Sequence, residues 1–179
     1  MKTYIFIAAS LDGYIARADG NIDWLMAATP PGDQHGYGEF IAQIDTIVMG
    51  RKTFETVLGF DDWPYDGKRV IILSRTLAAI PARLSGKAEL HRGPVRELHG
   101  ALAAGGCHGL YIDGGQTVQS FLRESLVDEL TLTCIPILLG SGIPLFGALP
   151  DDLPLQHVAT RVIADSLVQS SYTFKKPAR

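Results

Sequence analysis

The chain has 179 residues, 46% hydrophobic and 20% charged, which is about one domain (~100 to 200 residues) of apolar-leaning globular composition and excludes global disorder. Sixteen Lys and Arg against nineteen Asp and Glu leave a net charge of −3 with no basic block. No nucleic acid or membrane partner is therefore expected, and a small molecule becomes the default.

In chain order, residues 4–9 form an apolar run too short for a secretory signal and read as the first strand. Further strands are predicted over residues 46–49, 70–73, 110–112 and 129–137, and helices over residues 38–44, 53–58, 95–104 and 117–126. The last helix places Val118, Phe121, Leu122 and Ser125 on one face. Such alternation implies an α/β fold with a mostly parallel central sheet and helices on both faces. Toward the C-terminus, residues 129–138, 157–164 and 167–175 are strand-like without a helix between the last two, which adds an antiparallel edge. Residues 131–150 carry no charge, but Pro136, Gly140, Ser141, Gly142, Pro144 and Gly147 interrupt them. A buried strand and a Gly/Pro loop are expected there rather than a membrane span, with an apolar patch suited to a homodimer. No linker or repeat divides residues 1–179, so a single domain is expected.

Cys107 and Cys134, the two cysteines, lack metal-ligand spacing, as do the five scattered histidines. No metal is expected, and a reducing cytoplasm fits. The chemistry concentrates in two similar turns. After one strand comes Gly50-Arg51-Lys52-Thr53 and a helix; after Ile112-Asp113 comes Gly114-Gly115-Gln116-Thr117 and another. In each, a glycine allows close backbone approach, a helix start offers unpaired N–H groups and a threonine supplies a hydroxyl. Two such turns suit the diphosphate of a dinucleotide, although neither is a G-x-G-x-x-G or P-loop signature. Ser74-Arg75 ends another strand, and Arg51 with Arg75 suits an extra phosphate, favouring NADPH over NADH.

Ile47 to Glu55, Lys68 to Ser74 and Gly114-Gly115 before a helix resemble the dihydrofolate reductase superfamily in order and spacing. Ala9 to Ala16, Asp113, Val127 to Leu130 and Pro136 to Gly140 resemble more closely the reductase domain of the bifunctional riboflavin-biosynthesis deaminase-reductases. This resemblance implies a dihydrofolate-reductase-like three-layer fold and NADPH-dependent hydride transfer to a pyrimidine- or pterin-type heterocycle. The nearest activity it implies is that of a 5-amino-6-(5-phosphoribosylamino)uracil reductase. Alternatives are a dihydrofolate reductase and a catalytically inactive dimeric nucleotide-binding module. By position, the resemblance puts Gly50, Arg51 and Thr53 at phosphate and adenosine, Ser74 and Arg75 at the 2′-phosphate, and Gly114, Gly115, Gln116, Thr117 and Val118 along the diphosphate. It puts Ala9 and Ile15 at the nicotinamide carboxamide and Trp24 in contact with the cofactor, and implies a cis Gly114–Gly115 peptide.

The chain also departs from these families. It lacks the H-x-E and P-C-x-x-C zinc motifs of a deaminase. Where the riboflavin reductases carry arginines for a ribose phosphate, it has the apolar Ile41 and the segment from Gly59 to Tyr65. Asp12, Asp33 and Glu39 are the proton-relay candidates, since a carboxylate raised in pKa by an apolar pocket can deliver the proton that hydride transfer requires.

Overall fold

The computed structural model describes residues 1–29, 36–164 and 166–175. Its elements are β1 (Lys2–Ser10), β2 (Tyr14–Ala16), α1 (Asp23–Ala28), α2 (Tyr37–Ala42), β3 (Thr46–Gly50), α3 (Arg51–Val57), β4 (Arg69–Leu73), β5 (Ala88–His91), α4 (Val95–Ala104), β6 (Gly109–Asp113), α5 (Gly115–Arg123), β7 (Glu129–Ile135), β8 (Ile143–Pro144), β9 (Leu155–Ile163) and β10 (Leu167–Phe174). The large sheet has the order β5-β4-β3-β6-β1-β7-β10-β9, and β2 pairs separately with β8. Neighbours from β5 to β7 are parallel, so their carboxyl ends share one edge; β10 and β9 complete the antiparallel side.

Alternation along the strands builds two cores. On one face Ile5, Val48, Ile71, Leu110 and Ile112 pack against Leu98 and Leu102 of α4 and Val118, Phe121 and Leu122 of α5. On the other, Ile47, Met49, Val70, Ile72 and Tyr111 meet Phe40 of α2, Ile44 just after it, and Phe54 and Val57 of α3. Full burial of such a side chain contributes about 1.5–3 kcal/mol. These two layers hold the carboxyl edge rigid from both sides.

The predicted strands are all present, with shifts at their ends. Strand β7 stops at Ile135 because Pro136 has no N–H to continue the ladder. Helix α3 starts at Arg51, ahead of the predicted Thr53, because Gly50 itself occupies the capping position. Helix α5 spans Gly115–Arg123, not residues 117–126, because Ser125 turns left-handed at φ 53°. Four short elements had no hydrophobic period to announce them. They are edge strand β5, the β2–β8 pair, and α1, whose start is fixed by Asn21 Oδ1 accepting from Asp23 N and Asp23 Oδ1 accepting from Trp24 N. Among the described residues, no helix is long and apolar enough to cross a membrane.

Candidate functional site

Strands β3 and β6 are parallel neighbours with Met49 opposite Asp113, so the two Gly-Thr turns leave the sheet side by side. They interlock. A Cβ added to Gly114 would collide with Thr53 Oγ1, and one added to Gly50 would lie 3.0 Å from Thr117 Oγ1. Each glycine is thus covered by the other turn's threonine. Gly114 adopts φ 86°, ψ 139°, a conformation that residues with a side chain rarely enter. No side chain caps α5, whose first helical bond runs from Val118 N–H to Gly114 O, leaving the preceding N–H groups at the turn. Ile15 of β2 and the Pro144 carbonyl of β8 cover Gly115, since a Cβ there would be 2.9 Å from Ile15 Cδ1 and 3.2 Å from Pro144 O.

Arg51 is exposed at the first position of α3, 3.1 Å from Glu55. On the adjacent strand end Ser74 is buried, its Oγ accepting from Thr76 N and Leu77 N, and Arg75 is exposed. Close backbone, an uncapped helix start, hydroxyls and two guanidinium groups along one sheet edge fit a phosphorylated dinucleotide.

Asp113 shares a sheet face with Tyr111, two residues earlier. That face is aromatic. Phe6 stacks on Phe40 at 4.7 Å and meets Tyr37 edge-on at 5.8 Å, while Phe40 meets Tyr111 at 5.0 Å. Trp63 and Tyr65 meet at 5.5 Å, and the Tyr111 hydroxyl donates to Phe6 O at 3.0 Å. Burial in these surroundings pushes the Asp113 carboxyl up to about 6, against stabilisation by the Gly114 N–H. Burial likewise pushes Tyr37 up to about 12 and raises Tyr65 and Tyr111, with the Asp113 charge adding to each shift. The phenols stay protonated donors at neutral pH. No cation pairs with Asp113 among the described residues.

A profile of the RibD C-terminal domain matches residues 2–168. The chain belongs to the RibD C-terminal domain family. A putative riboflavin biosynthesis protein from Shewanella sp. PV-4 superposes with a TM-score of 0.93 at 43% identity, covering 98% of this chain and 100% of that one. The uncharacterized protein YwjB of Bacillus subtilis is 33% identical over 166 residues, 89% of this chain and 91% of its own length. A Thermotoga maritima protein described as a diaminohydroxyphosphoribosylaminopyrimidine deaminase/5-amino-6-(5-phosphoribosylamino)uracil reductase shares the fold, with a TM-score of 0.73 at 16% identity. The match covers 97% of this chain and 56% of that one. The sheet, mostly parallel with antiparallel edge strands, is the dihydrofolate-reductase-like fold of RibD reductase domains.

Within this RibD-type scaffold the expected residues divide. Gly50, Thr53, Gly114, Gly115 and Thr117 meet at the interlocked turns, with Gln116 exposed beside them and Arg51, Ser74 and Arg75 along the same edge. Ala9 is buried near the end of β1, and Ile15 lies on Gly115. Trp24 is 5% exposed, packed with Ile135 and Leu167, and its Nε1 has no partner among the described residues.

Several expectations need correction. Val118 has no exposed surface and its N–H is spent within the helix, so it serves the core rather than a diphosphate. The Gly114–Gly115 peptide is trans, the positive φ of Gly114 making the turn instead. Asp12 is exposed and held ionised. Its carboxylate accepts from Ser10 Oγ at 2.6 Å, Leu139 N at 3.1 Å and Gly140 N at 2.7 Å, and the Ser10 bond foremost keeps its pKa below the usual carboxylate value. It latches the loop at Leu139 and Gly140. Glu39 points to solvent beside the buried Phe40. Asp33 lies outside the described residues. Among the described carboxyls, the one whose pKa burial raises is Asp113, noted above only as a motif residue. The available signal was an acid ending an otherwise apolar strand immediately before Gly-Gly, in phase with an inward tyrosine.

Proposed function

We propose that this chain is an NADPH-dependent reductase of a pyrimidine- or pterin-type heterocycle, with Asp113 as proton donor. The observation that carries this reading is that Asp113 immediately precedes the Gly114 turn, so one short segment serves both the dinucleotide cradle and the aromatic acceptor wall. When bound, a reduced nicotinamide supplies the hydride. The chain's part is positioning and protonation. The interlocked turns hold the diphosphate, and Arg51 and Arg75 grip the 2′-phosphate. The tyrosine and phenylalanine rings exclude water and stack the acceptor. Asp113 in its acid form gives its proton to the nitrogen adjoining the carbon that receives hydride, and recovers one from solvent.

The Thermotoga neighbour's description is consistent with such an acceptor. Calorimetric titration with NADPH and NADH side by side tests the cradle, and loss of NADPH absorbance on adding an aminopyrimidine or dihydrofolate tests turnover. Absence of binding by either dinucleotide defeats the reading. We also propose a homodimer, supported by the exposed apolar Leu138, Phe146 and Leu149 after β7. Light scattering at a mass of 19.4 kDa, that of one chain, removes the dimer.

A further inference from the structure

Helix α4 packs beside edge strand β5 on the sheet face opposite Tyr111, and a cavity of about 360 Å³ remains between them. Buried Ile71, Leu98 and Leu102 form its apolar base. At one end Arg69 grips Glu89 through two bonds, of 2.7 and 3.0 Å. At the other stand His91, two residues further along β5, and Glu97 in the first turn of α4.

This second end holds two polar groups without partners. His91 Nε2 is buried and makes no hydrogen bond among the described residues. Glu97 makes no ion pair among them, and the cations around it are engaged elsewhere. Arg69 holds Glu89, Arg96 holds Glu124, and Arg92 donates to the Leu77 and Ala78 carbonyls. A glutamate at this helix position ordinarily reaches back to the N–H of the capping residue, but the cap is Pro94, which has none. Between the two groups lies Gly93. A Cβ there would sit 2.9 Å from His91 Nε2 and 3.8 Å from Glu97 Oε2. Gly93 takes no positive φ, so its missing side chain provides space rather than a special conformation.

A carboxylate only accepts, whereas an imidazole nitrogen donates or accepts according to its tautomer. What satisfies both is an N–H donor adjoining a ring nitrogen, on a flat body that lies against the apolar base. The amino edge of adenine has this pattern. In hypoxanthine a carbonyl replaces the amino group and would face the carboxylate, acceptor against acceptor.

We propose that this groove binds an adenine-type ring, with Glu97 accepting from its amino group and His91 Nε2 donating to the adjoining ring nitrogen. The ring arrives on a free adenine nucleoside or as the adenine half of a dinucleotide, since His91 O accepts from Ser74 N and this end of the groove adjoins that strand end. The first source is independent of the reductase reading; the second rests on it.

The test is calorimetric titration of the full chain with adenosine and with inosine, in the absence and presence of saturating NADPH. Adenosine is expected to bind at least about ten-fold more tightly than inosine. In Glu97→Gln, whose amide donates to a carbonyl as readily as it accepts, the preference is expected to shrink to about three-fold or less. Gly93→Ala, which fills the space between the two groups, is expected to weaken adenosine by about ten-fold, with thermal unfolding showing that each variant is folded. Equal binding of the two nucleosides, binding of neither, a preference unchanged in Glu97→Gln, or adenosine binding unaltered by Gly93→Ala overturns the proposal. A preference that survives saturation with NADPH assigns the groove to a separate nucleoside, and one that NADPH abolishes assigns it to the dinucleotide's own adenine. NADPH binding without a nucleoside preference overturns the groove and leaves the reductase reading standing. A preference in chain that binds no NADPH supports the groove and removes the reductase reading.

Discussion

Strands β1 and β6 lie side by side and each delivers an aspartate to the same edge of the sheet, yet the two carboxyls end in opposite states. Asp12 emerges into solvent, where a hydroxyl and two backbone N–H groups bind its charged form. Asp113 emerges beneath tyrosines, where burial opposes ionisation and little compensates. Identical side chains, one in the turn after β1 and one ending its neighbour β6, therefore meet opposite surroundings. Asp12 holds the loop at Leu139 and Gly140, whereas Asp113 can give up a proton near neutral pH. Environment, rather than residue type, sets how tightly each carboxyl holds its proton.

The largest way to break this contrast is Asp113→Asn. Turnover with an aminopyrimidine is expected to fall by ~100-fold or more, the usual contribution of a general acid, while the Kd for NADPH stays nearly unchanged. In the parent, kcat/KM should decline as pH rises through about 6, when Asp113 loses its proton, and that limb should vanish in the variant.

Stability offers a second measurement with a defined sign. A carboxyl whose folded pKa is raised contributes stability that is full below its unfolded value of 3.8 and is lost as pH rises through the folded value of about 6. Asp113→Asn escapes that loss. Its melting temperature should match the parent's near pH 3.5 and exceed it above pH 6.5, by an amount equivalent to at most about 3 kcal/mol. Asp12 has the opposite sign, its stabilising effect being present at neutral pH and lost on acidification.

Gly114→Ala probes the scaffold beside Asp113. The collision with Thr53 and the positive φ are expected to cost ~2 kcal/mol in denaturant unfolding and to weaken NADPH. Gly100→Ala, with open space around an α4 glycine, should instead stabilise by about 0.5–1 kcal/mol. Replacing Arg51 and Arg75 together with Ala should weaken NADPH by about ten-fold while leaving NADH nearly unaffected; equal losses would separate these arginines from the 2′-phosphate. The smallest effect belongs to Asp12→Asn, for which turnover within about two-fold of the parent, measured at neutral pH, would confirm that its work is structural.

Much of the scaffold was legible in the sequence because central strands such as Ile47-Val48-Met49 are apolar on both faces, and Gly before a helix marks a close approach. The interlocked turns were legible as a pair, although their mutual packing was not, since nothing in local spacing says that Thr53 lies on Gly114. Asp113 escaped notice as an acid because its raised pKa comes from burial, which tertiary packing creates and local spacing does not announce. Asp12 looked attractive for the converse reason, as its partners Leu139 and Gly140 are 127 and 128 residues away. Strand β5 stayed hidden because Ala-Glu-Leu-His lacks the β-branched run that marks a strand, and its pairing with β4 is a tertiary matter.

The reciprocal seating of Gly50 under Thr117 and Gly114 under Thr53 has an evolutionary consequence. Four positions on two distant segments form one heritable unit, because enlarging a glycine is tolerated only if the opposing threonine shrinks, and a shrunken threonine leaves its glycine uncovered. Across descendants of this scaffold, the two pairs should change by coordinated exchange or not at all.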